Sequence, residues 1–149
     1  MHDRTADRQG REILELFMEW DRVYEAYARA KGLSYLSLAV LECLYDHPEG
    51  ITQKEISEGL HYPKQSVNLV IKGWAVAGLL EMEELASDRR NKAVRLTEQG
   101  KAYASEVAGP LRKADQEAFG SLPAEARSLF VESLKRYTEN FSLETAKLL

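Results

Sequence analysis

The residues able to do chemistry in this sequence fall into two groups. Lys64, Gln65, Ser66, Asn68 and Lys72 stand close together, and Asp88, Arg89, Arg90 and Lys92 form a second, tighter cluster. Both groups supply cations and hydrogen-bonding side chains rather than nucleophile and base pairs. The amides of Gln65 and Asn68 can pair with an adenine edge, and Lys64 can reach a guanine or a phosphate. A narrow loop bearing Arg89 and Arg90 can enter a groove where negative potential is focused, held by an Asp88–arginine pair while another arginine projects.

The ingredients of a catalytic centre are missing. There is no phosphate-binding glycine loop, nucleophile elbow or metal triad. Cys43 is the only cysteine, which excludes an intrachain disulfide. It lies among apolar helix residues without an adjacent cation, so a structural role is favoured over a peroxide sensor. His2, His47 and His61 have no ligand spacing. The expectation is a protein that is not an enzyme and uses no cofactor or metal.

With 149 residues, the chain has room for one hydrophobic core, and residues 1–149 are expected to form a single domain. Hydrophobic residues at 44% and charged ones at 30% describe a globular balance. No apolar run reaches the ~18 residues of a membrane span. The first residues carry charge where a secretory signal would be apolar, so a cytoplasmic protein with no membrane partner is expected. The net charge of -4 argues mildly against a nucleic-acid partner. Its distribution matters more, because residues 52–97 hold seven basic against six acidic residues and the negative excess lies elsewhere.

The elements that would position the two clusters follow from periodicity. Ile13, Leu16, Phe17, Trp20, Val23, Tyr24 and Tyr27 form one helical stripe over residues 10–30, which Gly32 ends. Ser34 opens a second helix, carrying Leu38, Val40, Leu41, Leu44 and Tyr45 to the stop at His47-Pro48-Glu49-Gly50. Thr52-Gln53-Lys54-Glu55 fits a capping box for a short third helix. Pro63 suits the first position of a fourth, where Val67, Val70, Ile71 and Trp74 repeat to about Ala77. From Leu79 to Glu84, and from Lys92 to Leu96, the period shortens toward two, predicting a β-hairpin with a charged tip. Thr97 caps a fifth helix that Gly109-Pro110 should bend or interrupt. Pro123 starts a sixth.

Two short helices joined by a tight turn and followed by a basic-tipped hairpin outline a winged helix-turn-helix, here within residues 34–97 with the wing hairpin at 79–96. The fold class expected is mainly α with a small β-hairpin wing. The stretch Pro48-Glu49-Gly50-Ile51-Thr52-Gln53-Lys54-Glu55-Ile56, then Gly78-Leu79-Leu80, Asp88-Arg89-Arg90-Asn91-Lys92 and Leu96-Thr97-Glu98-Gln99-Gly100, resembles the MarR family of bacterial transcriptional regulators. The resemblance spans about residues 10–142.

That resemblance implies a homodimer whose first and last helices, residues 10–31 and 98–145, interdigitate while each winged domain reads half of a pseudo-palindromic double-stranded DNA operator. Arg90 would enter the minor groove, Asp88 would buttress the wing, and residues 64–68 would face the major groove. Repression is the family's commoner mode. Leu69 and Gly73 depart from it, standing where many members carry arginine, and Glu81, Glu83 and Glu84 add negative charge near the wing. A winged protein-interaction module with weak or no DNA binding is the alternative these departures keep open. The large apolar residues of the first and sixth helices exceed what a thin winged domain covers, which also points to a two-fold partner. Phe17, Trp20, Tyr24, Tyr27, Tyr35 and Tyr45 hold two readings: core or dimer packing, or the lining of a cleft for the small aromatic or phenolic effector that the resemblance implies.

Overall fold

The computed structural model describes residues 4–85 and 88–149, with side chains at all of these but residues 88–91. The chain runs α1 (Arg4–Ala30), α2 (Tyr35–Asp46), β1 (Ile51–Thr52), α3 (Gln53–Leu60), α4 (Lys64–Val76), β2 (Leu80–Leu85), β3 (Asp88–Leu96), α5 (Glu98–Gly120) and α6 (Ala124–Ala146). It is mainly helical with a small antiparallel sheet, and it divides into two compact units, Met1–Ala108 and Gly109–Leu149.

Within the first unit, helix starts are set by side chains that take up orphan backbone N–H groups. Ser34 Oγ accepts from Ser37 N at 3.0 Å and opens α2. Thr52 and Glu55 close the capping box: Thr52 Oγ1 accepts from Glu55 N at 3.1 Å, and Glu55 Oε2 accepts from Thr52 N at 2.9 Å. Pro63 departs from its expected place. It has φ -58° and ψ 142°, so it is the cap and Lys64 is the first helical residue. Its carbonyl takes the N–H groups of Ser66 and Val67.

The sheet has the order β1-β3-β2. Strand β1 was not expected, since two residues carry no periodicity to read; Ile51 and Thr52 pair with Val94 and Ala93. The hairpin strands also run longer than their apolar alternation suggests, with β2 and β3 in register from Leu80↔Leu96 to Glu84↔Lys92. Beyond that pair the register shifts, and Leu85 faces Asp88. Residues 86 and 87, part of the expected charged tip, lie outside the described residues.

The core of this unit is Leu38, Val40, Leu41 and Leu44 of α2, Ile56 of α3, Val67 and Ile71 of α4, Leu80, Val94 and Leu96 of the sheet, and Ala104 and Val107 of α5. Each large aliphatic removed from water there stabilises by roughly 1.5–3 kcal/mol. The start of α5 is locked to the end of α4. Thr97 N donates to the Leu79 carbonyl at 3.0 Å, and Thr97 Oγ1 donates to the Gly78 carbonyl at 2.7 Å. The same hydroxyl oxygen accepts from Gly100 N at 3.0 Å. A Cβ on Gly100 would run into the Leu79 carbonyl, so only glycine permits this approach.

Helix α5 is not interrupted at Pro110; it stays helical from Glu98 to Gly120. A proline removes one ladder hydrogen bond and crowds the preceding turn, a local cost that helical turns on both sides tolerate. In that preceding turn Tyr27 Oη donates to the Val107 carbonyl at 2.7 Å. The second unit joins the end of α5 to α6. Arg127 Nη1 donates to the Gly120 and Leu122 carbonyls at 3.2 and 2.6 Å, and the Phe119 and Phe130 rings meet at 6.2 Å. Helix α6 buries none of its residues. Among the described residues, no helix is long and apolar enough to cross a membrane.

Candidate nucleic-acid interface

Helix α3 ends on His61, whose φ of 54° and ψ of 38° place it in the left-handed region. That conformation turns the chain sharply. Ser57 pins the turn from both sides, its Oγ donating to the Tyr62 carbonyl at 2.5 Å and its carbonyl accepting from Tyr62 N at 3.1 Å. Helix α4 then leaves with Val67 and Ile71 buried, so its opposite side must face solvent.

Gln65 and Lys72 are exposed on that side, and Lys64, the first residue of the helix, is exposed at its N-terminus. Ser66 and Asn68 are half-buried. Asn68 Nδ2 donates to Gln53 Oε1 at 2.9 Å, and Gln53 Nε2 approaches Met82 Sδ at 3.9 Å. Gln53 thus connects α4 to β2. Sequence reading missed it, because no periodicity links the first turn of α3 to a residue on the next helix.

On the hairpin, Lys92 is exposed and stands opposite Glu84. Asp88, Arg89 and Arg90 lie on the backbone of β3, and their side chains are outside the described residues. The acidic side of the wing is partly neutralised. Arg95 Nε pairs with Glu81 Oε1 and Arg95 Nη2 with Glu83 Oε2, each at 3.2 Å. Exposed pairs of this kind stabilise by only about 0–1 kcal/mol, but they place a positive charge against two of the three glutamates.

A separate cavity of about 470 Å³ lies between α1, α2 and the α3 end. Trp20, Tyr24 and Tyr35 line it, joined by Tyr62, which the sequence did not single out. The Trp20 and Tyr24 rings stack at 5.4 Å, and those of Tyr24 and Tyr35 meet at 4.6 Å. Phe17, Tyr27 and Tyr45 do not line it. The α1 stripe passes the cavity only over its Trp20–Tyr24 turn, so Phe17 lies a turn too early and Tyr27 a turn later, where it bonds α5. On α2 the cavity takes the face of Ala39, Glu42, Cys43 and Asp46, and Tyr45 falls on another.

Polar groups around the aromatic wall are tied to it. Tyr24 Oη donates to Glu42 Oε2 at 2.5 Å and Tyr35 Oη to Asp21 Oδ1 at 2.9 Å. Burial, and then the Asp21 carboxylate, push the Tyr35 phenol up to about 12. Burial, followed by the charges of Asp46 and Glu55, pushes the Cys43 thiol up as well, away from the thiolate that a sensor needs. Among the described residues, no cluster of three or more histidine, cysteine or carboxylate side chains could hold a metal.

A helix pair joined by a three-residue turn, its second helix polar toward solvent and followed directly by an antiparallel hairpin, makes this a winged helix-turn-helix protein. Residues 31–91 match the model of the MarR family. The structure is similar to NMB1585, a MarR family regulator from Neisseria meningitidis, at 27% identity and TM-score 0.78, covering 98% of this chain and 99% of that one. AbsC, a MarR family transcriptional regulator from Streptomyces coelicolor, is 21% identical with TM-score 0.77, over 95% and 97% of the two chains. The MepR–DNA complex of S. aureus is 16% identical with TM-score 0.69, over 89% and 97%. No curated protein matches the chain. The chain is therefore similar to the MarR family in its winged segment and shares the fold of a MarR family regulator over nearly its whole length.

Proposed function

We propose that the protein is a cytoplasmic transcriptional repressor that binds a pseudo-palindromic duplex operator as a homodimer. The observation that carries this reading is the exposed face of α4, where Gln65 and Lys72 stand clear of the core opposite Val67 and Ile71, with exposed Lys64 at the start of the helix. Such a helix fits a major groove about 12 Å wide. Asn68 positions α4 through Gln53, and Ser66 lies at its margin. Lys92, Arg89 and Arg90 serve the wing, with Arg90 in the minor groove and Asp88 holding the loop.

Dimerisation would cover the exposed Leu16, Phe17 and Trp20 of α1 and Leu129, Phe130 and Phe141 of α6. Two-fold symmetry then sets half-sites about 34–36 Å apart. A small aromatic or phenolic effector fits the cavity walled by Trp20, Tyr24 and Tyr35, and it acts only if it favours one arrangement of the two wings over another.

Selection of bound duplexes from a random library, followed by titration of the recovered site at low salt, tests the reading. Wild type is expected to bind that site with strong salt dependence, and Arg90→Ala to weaken it at least tenfold, about the value of one good groove contact. Equal binding by the two proteins would remove Arg90 from the interface. Recovery of no duplex would overturn DNA binding in favour of a protein-interaction module.

A further inference from the structure

The exposed face of α4 holds more than polar groups. At about 100° per residue, Gln65, Leu69, Lys72 and Val76 share one side, away from buried Val67 and Ile71. Leu69 is 73% exposed and Val76 90%. A leucine in the middle of a solvent-facing stripe contributes nothing to the core, and a Cβ on Gly73 one turn later would meet nothing within 4 Å. Asn68, the neighbouring amide, is turned aside into its 2.9 Å bond with Gln53. The helix therefore offers Gln65 and Leu69, not Gln65 and Asn68, as its central pair.

We propose that Leu69 reads the C5-methyl group of a thymine in each half-site, about two base pairs from an adenine read by Gln65. Thymine alone among the four bases presents an apolar group in the major groove, and a side-chain amide pairs with adenine N6 and N7. Gln65 and Leu69 are four residues apart, about 6 Å along the axis, which corresponds to about two base-pair steps. Exposed Lys64 and Lys72 flank the pair, and exposed Lys92 lies on the adjacent hairpin. A protein-binding patch would be depleted of lysine at such positions, whereas phosphates on both sides of a groove match them.

This inference rests on the DNA-binding reading, and the experiment separates the two. The probe is the duplex recovered by selection, beside a copy in which deoxyuridine replaces every half-site thymine, removing the methyl groups alone. Wild type is expected to lose about fourfold in affinity for each contacted methyl on the uracil duplex. Leu69→Ala is expected to bind both duplexes alike, at the level of wild type on uracil. Val76→Ala is expected to match wild type on both, because it lies near the C-terminal end of the helix, about 10 Å beyond Leu69. Wild-type binding that ignores the methyl groups overturns the thymine assignment while leaving DNA binding intact. Equal losses for Leu69→Ala and Val76→Ala on both duplexes overturn it in favour of a protein contact along the stripe.

Discussion

The two compact units treat the same kinds of apolar residue in opposite ways. Helix α2, 12 residues long, buries Leu38, Val40, Leu41 and Leu44, whereas α6, 23 residues long, buries none. The first unit wraps helices around a sheet and closes a core. The second has only the end of α5 and α6, too little chain to enclose an interior, so Leu129, Phe130 and Phe141 remain exposed. What the contrast teaches is that α2 works for stability, while α6 keeps an apolar surface for the dimer proposed above.

The sharpest way to break that contrast is a charge on each side. Leu41 is fully buried, so Leu41→Asp should cost several kcal/mol, comparable with the whole stability of a domain, and abolish cooperative unfolding followed by circular dichroism. Phe141 is 59% exposed. Phe141→Asp should leave the winged unit folded while sedimentation velocity shows half the wild-type mass. A Phe141→Asp protein that sediments like wild type, or a Leu41→Asp protein that melts like it, would remove the distinction.

The first unit was the more legible in sequence, for a physical reason. Its helix ends are written locally: Ser34, the Thr52–Glu55 box, and Gly78, whose φ of +77° closes α4. What escaped was non-local. Strand β1 exists only because Val94 and Ala93 lie opposite it, and Gln53 matters only because Asn68 reaches it. Of the bend or interruption expected at Gly109-Pro110, the interruption does not occur, since the helical turns on both sides outweigh the local rule. The aromatic stripe was visible, but which of its rings meet a cavity depends on where α1 crosses α2. Trp20, Tyr24 and Tyr35 line the cavity, whereas Phe17, Tyr27 and Tyr45 do not.

A smaller effect sharpens the picture of how the winged unit is fastened to α5. Gly100→Ala places a methyl group against the backbone carbonyl of Leu79, which cannot rotate away as a side chain would. Overpacking of this kind costs about 1–3 kcal/mol. Thermal denaturation should show the loss in full, and amide exchange should show it concentrated at Thr97 and Gly100, whose N–H groups make the lock. If Gly100→Ala melts with wild type, the close approach is not what fixes the start of α5.

The smallest expected effect lies at the N-terminus of α3. Hydrogen bonds from the Thr52 backbone N–H, then from the Thr52 hydroxyl, hold the Glu55 carboxyl below the usual glutamate range. A carboxyl whose folded pKa is depressed contributes stability that is present above its unfolded value, near 4.3, and is lost as pH falls through the folded value. Stability should therefore decline on acidification below about pH 5. Glu55→Gln keeps a group able to accept from the Thr52 N–H but cannot titrate, so it should flatten that decline by roughly 0.2–1 kcal/mol, the range of exposed charge interactions. Urea midpoints measured between pH 7 and pH 3 give the comparison. Parallel curves for wild type and Glu55→Gln would mean that the box holds α3 through hydrogen-bond geometry alone, with no contribution from its charge.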